Sequence, residues 1–194
     1  MNLGEMKDWI VRDTKRPDKR DDQIQDAVNA AIEYATSRGD FSADLVESSV
    51  AISSSVASQS IVISTTFPRF RKIKYLKPDG YRRYLDWRDP SRIFTVNGTQ
   101  YVDVWYRAGD NIVFNLSVKQ SNMMYAYFSY AAWLTTDDAT HWMLDQMTTC
   151  IHDLACWRVF EQIGNESEAS RFYKIGEEYL NKHIRSLADG VALS

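Results

Sequence analysis

Residues 136–187 read TDDATHWMLDQMTTCIHDLACWRVFEQIGNESEASRFYKIGEEYLNKHIRSL, the longest stretch of the chain with helical periodicity. Asp137 and Asp138 place negative charge where a helix would begin, and Thr135 or Thr136 can cap its free amides. Neither Pro nor Gly intervenes before Gly164, so the pattern predicts one helix of about 26 residues, roughly 39 Å long at ~1.5 Å per residue. Met143, Met147, Cys150, Leu154 and Trp157 step by four and three residues, and Leu144, Ile151, Ala155 and Val159 form a second stripe beside them. Two stripes make an apolar surface wider than one neighbour needs, so Met143, Met147, Cys150, Leu154 and Trp157 are candidate subunit-interface residues. After a C-cap at Gly164 and Asn165, a second helix over 166–187 carries Phe172, Tyr173, Gly176, Tyr179, Leu180, Ile184 and Leu187 on one side. The two helices form an antiparallel hairpin that needs further partners.

The amino-terminal end supplies them. Leu3, Met6 and Ile10, with Trp9 adjacent, predict a short amphipathic helix fading near Asp13, ahead of Arg16 and Pro17. A second helix, capped by Asp18, Asp21 or Asp22, repeats Ile24, Ala27, Val28, Ala31, Ile32 and Ala35 before Arg38 and Gly39 close it. Ala27, Ala30, Ala31 and Ala35 would let another helix approach closely. Residues 1–43 and 136–194 are therefore expected to form one discontinuous helical bundle.

Between them, residues 44–135 change to period two and predict an inserted, mostly antiparallel sheet built from sequential hairpins, giving an α+β fold. The serine-rich run Ser48–Ser64 reads as one or two edge strands, to be ordered by a neighbour that completes the sheet or left as a loose hairpin. Phe70–Lys77 is expected to turn at Pro78–Gly80 and return as Tyr81–Leu85. Asn97–Gly98 marks a tight turn leading into Tyr101–Tyr106; Ala108–Asn111 reverses the chain into Ile112–Leu116, and Met124–Tyr130 forms the last strand.

Composition bounds the function classes. With 44% hydrophobic and 25% charged residues the chain is an ordinary globular sequence, so disorder is not the default. Aromatic content of 13% places some rings in either interfaces or an aromatic-rich sheet core. No charged leader with an apolar run and no apolar segment near 18 residues is present, so neither a secretion signal nor a membrane span is expected. Cys150 and Cys156 point different ways on one helix and are not expected to bond, consistent with synthesis in a reducing cytoplasm.

Charge is uneven. Arg69–Arg92 holds nine Lys or Arg against three Asp, a net of +6 in a chain of net −3. These cations interleave with Phe70, Tyr75, Tyr81, Tyr84 and Trp87, the profile of a face that follows phosphates and stacks on bases. Contact with an acidic protein surface or a plain solvated face fits the same pattern. Arg69, Arg71, Lys72, Lys74, Arg82 and Arg83 are the candidate partner- or phosphate-contacting residues. His152 and Cys156 have the spacing of two zinc ligands, but no further CxxC or HxxxH completes a set, and no metal or other cofactor is expected. His141, His152 and His183 have no nucleophile in a recognised elbow nearby, and Gly-rich phosphate loops are absent. A small hydrolase built on His141 or His152 is the weakest reading, so no enzyme is expected.

The opening Leu3, Gly4, Glu5, Met6 and Lys7, the Arg16–Pro17–Asp18 turn, the helix from Asp22 to Ala35 and the closing helix pair together resemble the head-to-tail adaptor (connector) proteins of short-tailed bacteriophages. Phe67, Pro68 and Arg69 resemble that family's proline-containing entry to its sheet, and Tyr130, Leu134, Thr135, Asp137 and Asp138 its strand-to-helix junction. The Ser48–Ser64 and Arg69–Arg92 segments have no counterpart in the pattern. The resemblance implies a structural virion protein of the neck or tail, made in the host cytoplasm. It would form a ring with copies of itself, expected to be twelvefold, that joins the portal to a downstream tail or nozzle protein. Genomic DNA would pass through the ring without specific binding. The end of the chain, Ala188, Asp189, Gly190, Val191, Ala192, Leu193 and Ser194, is poor in apolar bulk and would order on the portal. The competing reading is a nucleic-acid-binding module that works through the basic hairpin 69–92.

Overall fold

A computed structural model describes residues 1–16, 21–53, 58–93 and 100–188. In chain order the elements are α1 (Leu3–Thr14), α2 (Asp21–Arg38), β1 (Leu45–Ala51), β2 (Ser58–Val62), α3 (Ile63–Thr66), β3 (Phe70–Pro78), β4 (Asp86–Trp87), β5 (Val104–Ala108), β6 (Asn111–Asn115), β7 (Asn122–Ser129), α4 (Trp142–Gln146), α5 (Thr148–Gln162) and α6 (Glu166–Ala188). They fall into two compact units, residues 1–43 with 131–194, and residues 44–130. The fold is α+β, with helices at both ends and sheets between. Pro17–Arg20, the Asn97–Gly98 turn and residues 189–194 lie outside the described residues, as does 54–57 of the serine-rich run.

The helical unit is closed by its own two ends. A capping box starts α1: the Asn2 side chain accepts from the Glu5 amide at 2.9 Å, and the Glu5 carboxylate accepts from the Asn2 amide at 2.9 Å. The next amides then bond across the chain, Leu3 N–H to the Ala139 carbonyl and Gly4 N–H to the Asp137 carbonyl, both at 2.9 Å. Lys7, almost wholly buried, sets its ammonium between the carboxylates of Asp21 and Asp137. Burial alone would pull that ammonium down, but the hydrogen bonds it donates to Asp137 and Asp21, with their negative charges, outweigh it and hold it above the ordinary lysine value. Deeper in, the Asn29 amide donates to the Leu134 carbonyl at 3.0 Å and accepts from the Leu134 N–H at 2.8 Å.

These contacts correct the expectation of a 26-residue helix. Residues 131–141 are not helical, because their backbone groups are engaged with α1 and α2. The helical rod begins only at Trp142, capped by the His141 ring, and breaks at Met147 into α4 and α5. At the break the Thr148 hydroxyl donates to the Leu144 carbonyl at 2.6 Å, a side-chain substitute for the helical ladder.

α5 is the axis of the unit: α1, α2 and α6 all pack on it. Its periodicity reads differently in three dimensions than along the chain. Met143, Met147, Cys150 and Leu154, the stripe expected to face a sister molecule, are 0–5% exposed and packed in their own chain's core, as are Leu144, Ile151, Ala155 and Val159. The wide apolar surface is consumed by helices on three sides, and of the expected interface stripe Trp157 alone is half-buried. α6 buries Ala169, Phe172 and Leu180, whereas Tyr179 and Leu187, expected on the same side, are 46% and 47% exposed.

The inserted unit contains a three-stranded sheet in the order β1-β7-β3 and a four-stranded sheet in the order β2-β6-β5-β4. Pairing is antiparallel except for β4 with β5. The β5–β6 hairpin turns at Gly109, whose φ of 62° favours glycine. The remaining connections are not sequential hairpins. β3 pairs with β7 and not with residues 81–85, which contribute two backbone bonds, Tyr81 N–H to the Pro78 carbonyl at 3.1 Å and Leu85 N–H to the Leu76 carbonyl at 2.8 Å. The serine-rich run supplies two edge strands, β1 at the margin of one sheet and β2 at the margin of the other. Alternation places Met123, Tyr125 and Tyr127 of β7 and Ile112 and Phe114 of β6 in one core with Phe67 and Leu76.

Two substitutions test the closure of the helical unit. A Cβ on Gly176 would lie 2.9 Å from Cγ and Cδ2 of Leu154 and 3.2 Å from its amide nitrogen. Gly176→Ala is therefore expected to destabilise the unit by about 1–3 kcal/mol through overpacking, read as a lowered denaturation midpoint. Asn29→Ala strands a buried amide and carbonyl of Leu134; each costs about 1–3 kcal/mol, and a midpoint equal to that of the parent protein would refute the role given to Asn29.

Candidate functional site

The three histidines and two cysteines each have a structural occupation. His152, 2% exposed, stacks on Trp9 with centroids 4.1 Å apart, and its Nδ1 lies 2.9 Å from Oδ1 of Asp153. Its Nε2 lies 3.4 Å from Oδ2 of Asp13 and 3.5 Å from Sγ of Cys156. His152 and Cys156, spaced like two zinc ligands but lacking further ligands in the sequence, thus help tie α1 to α5, and no group of three or more metal-binding side chains occurs among the described residues. Burial pushes the Cys150 thiol up to about 12, with Asp153 and Glu177 adding to it, and burial raises Cys156 as well, helped by Asp153 and Asp13. Neither is a thiolate at neutral pH. The Nδ1 of His141 accepts from the Met143 amide at 3.3 Å as a helix cap, and burial lowers the affinity of His183 for a proton beside Phe41.

The basic segment 69–92 lies wholly in the inserted unit, and the fold disperses it. Arg69, with φ of 51°, is exposed where β3 begins, and its carbonyl accepts from Tyr130 N–H at 2.7 Å. Lys72 and Lys74 project from β3 and are exposed. Arg71 lies over the Phe128 ring at 5.2 Å, on the adjacent strand β7. Arg82 and Arg83 are exposed on the loop after the Gly80 turn. The six cations therefore do not form one continuous face of a hairpin.

What the fold does assemble is a cleft of about 540 Å³. One wall is the continuous run Phe70–Tyr75. A regular strand shows alternate residues to each face; six successive residues line one cleft here because the strand presents its edge and carries register shifts between Phe70 and Lys72 and between Ile73 and Tyr75. β3 is that edge, the last strand of β1-β7-β3. The opposite wall comes from β4 and β5, whose parallel pairing sets Trp87 directly beside Trp105. The pairing is held by Asp86 N–H to the Asp103 carbonyl at 3.0 Å and Arg88 N–H to the Trp105 carbonyl at 2.9 Å. Arg107, two residues further along β5, reaches over Phe70 with its guanidinium 5.5 Å from the ring. Tyr84 and Trp87 are 60% and 58% exposed beside it.

Tyr75, Tyr84 and Trp87 were legible in the sequence as aromatics among cations. Trp105 and Arg107 were not, because they belong to a different hairpin and reach the cleft through a parallel pairing that no turn signal announces. Their own signal, two large side chains on one face of a strand, was open to reading as ordinary alternation.

No helix among the described residues is long and apolar enough to cross a membrane. No curated protein matches the chain in sequence. The family model described as SU10 adaptor protein matches residues 1–192, nearly the whole chain and both units, and the chain accordingly belongs to the SU10 adaptor family of phage head-to-tail adaptors.

Proposed function

We propose that this protein is a non-enzymatic structural component of the phage neck that forms a ring between portal and tail, with a central channel for DNA. The family match across residues 1–192 is the observation that carries this reading. Twelve copies, synthesised in the host cytoplasm and joined head to tail, would close the ring, since a heterologous contact that closes on itself yields cyclic symmetry.

The subunit contact is assigned to exposed apolar side chains in place of the stripe on α5. Trp133, Tyr179 and Leu187 of the helical unit are 59%, 46% and 47% exposed. The half-buried Trp157 lies against Tyr173, with centroids 4.7 Å apart, and is the one member of the expected stripe with surface left to offer. Large exposed rings and aliphatics of this kind are the usual anchors of protein contacts. Arg69, Lys74, Arg82 and Arg83, exposed on the inserted unit, are assigned to contacts with the portal or the downstream tail protein. Residues 188–194 are assigned to portal docking. DNA in the channel needs no specific grip, because a strong one would arrest its passage.

Electron microscopy of purified particles is expected to show twelve copies between portal and tail. Tyr179→Asp is expected to leave the denaturation midpoint within about 0.5 kcal/mol of the parent, as an exposed substitution does, while removing the chain from particles. Deletion of residues 188–194 is expected to weaken binding to purified portal by about tenfold, or ~1.4 kcal/mol; undiminished portal binding would remove the docking role from this segment.

A further inference from the structure

We infer that the cleft between β3 and the β4–β5 wall is a docking site for an extended, acidic peptide strand from a partner protein, which adds to the sheet along β3. That the partner is a neighbour in the phage neck rests on the proposed function above. The chemistry of the cleft does not.

Three observations converge. β3 ends its sheet, and six consecutive residues of it, Phe70–Tyr75, face the cleft, so its edge runs along the wall for roughly 20 Å at about 3.3 Å per residue. A second strand laid there would pair in short stretches, between the register shifts at Phe70/Lys72 and Ile73/Tyr75. The lining is cationic, with Lys72, Lys74 and Arg107 against Asp86 as its acidic member, while the guanidinium of Arg71 is turned onto Phe128. An acidic segment is therefore favoured, and a basic one is repelled. The third observation is the aromatic wall. Trp87 and Trp105 stand side by side, and Tyr84 and Trp87 remain more than half exposed. They supply apolar area for alternate side chains of the incoming strand.

Edge guarding alone does not account for this arrangement. β3 carries register shifts between Phe70 and Lys72 and between Ile73 and Tyr75, and such bulges together with lysines deter indiscriminate pairing. A guarded edge has no use for two tryptophans and a tyrosine held opposite it. Nucleic acid shares the preference for cations and rings, but its backbone has no alternating N–H and C=O to match a strand edge. The edge therefore selects peptide.

The test uses the full chain and a fluorescein-labelled eight-residue peptide alternating Glu and Val. Three companion probes accompany it: the same peptide N-methylated at alternate residues, its Lys–Val counterpart, and an eight-nucleotide oligo-dT. The Glu–Val peptide is expected to raise anisotropy and to quench tryptophan emission, with the N-methylated and Lys–Val peptides at least about tenfold weaker, ~1.4 kcal/mol. Lys74→Glu combined with Arg107→Glu is expected to weaken the Glu–Val peptide by a similar factor, and Lys74→Glu alone, at an exposed side chain, to weaken it in part without lowering the denaturation midpoint. Trp87→Ala, at an exposed position, should weaken binding and remove part of the quenching. Oligo-dT binding as tightly as the peptide, equal binding of the N-methylated probe, or no peptide binding at millimolar concentration would each overturn the inference. So would concentration-dependent self-association of the chain that the same charge reversal abolishes, since the cleft would then belong to a second copy. None of these outcomes depends on whether the chain is found in the neck of particles, so failure of the ring reading is read separately.

Discussion

The structure of the helical unit depends on one closure: the first turn of the chain bonded to the segment that leads into its last helices. Short helices are marginal in water by themselves, and α1, with 12 residues, is of that kind. It persists because its first amides, Leu3 and Gly4, are satisfied by carbonyls more than 130 positions away, and because Lys7 is held between carboxylates from both sides of that join. Asn29 repeats the device one layer deeper. With the ends joined, α5 is surrounded, and its apolar circumference becomes core.

That closure changes where the protein has surface to offer. A helix apolar on two stripes suggests an assembly face when read alone, yet three helices of the same chain already cover it. The polar side chains on its remaining flank are likewise engaged: His152 between Asp13 and Asp153 under Trp9, and Cys150 with its thiol toward the Gly176 carbonyl at 3.4 Å. What is left for partners lies elsewhere, on isolated exposed rings of the helical unit and along the open edges of the inserted sheets.

The inserted unit meets the same accounting with a different outcome. Its core is closed, with Phe114, Ile112, Leu76 and Met123 fully buried, but among the described residues its sheets stay open at the margins. β1 and β3 end one sheet and β2 and β4 the other. An open edge is a hazard for a protein that stays alone and a resource for one that assembles. The family to which the chain belongs gives that contrast its direction.

Local sequence determined a great deal. Helical spacing and end signals placed α1, α2 and α6, period two placed the strands between them, serine-rich alternation marked one or two edge strands, and the order of elements pointed to the adaptor family. These features are local because they follow from the repeat of the backbone and from capping or turn chemistry within a few residues. Three things were decided only by tertiary structure. Asp137 and Asp138 looked like the start of a helix, but the Asp137 carbonyl and carboxylate are taken by Gly4 and Lys7, so the helix starts at Trp142. The stripe from Met143 to Leu154 looked available, but burial depends on how many neighbours arrive, which periodicity does not count. The Phe70–Lys77 strand looked like half of a hairpin, yet β7 brings Tyr125 and Tyr127 to bury against Phe67, and that distant apolar partner outweighs a nearby turn.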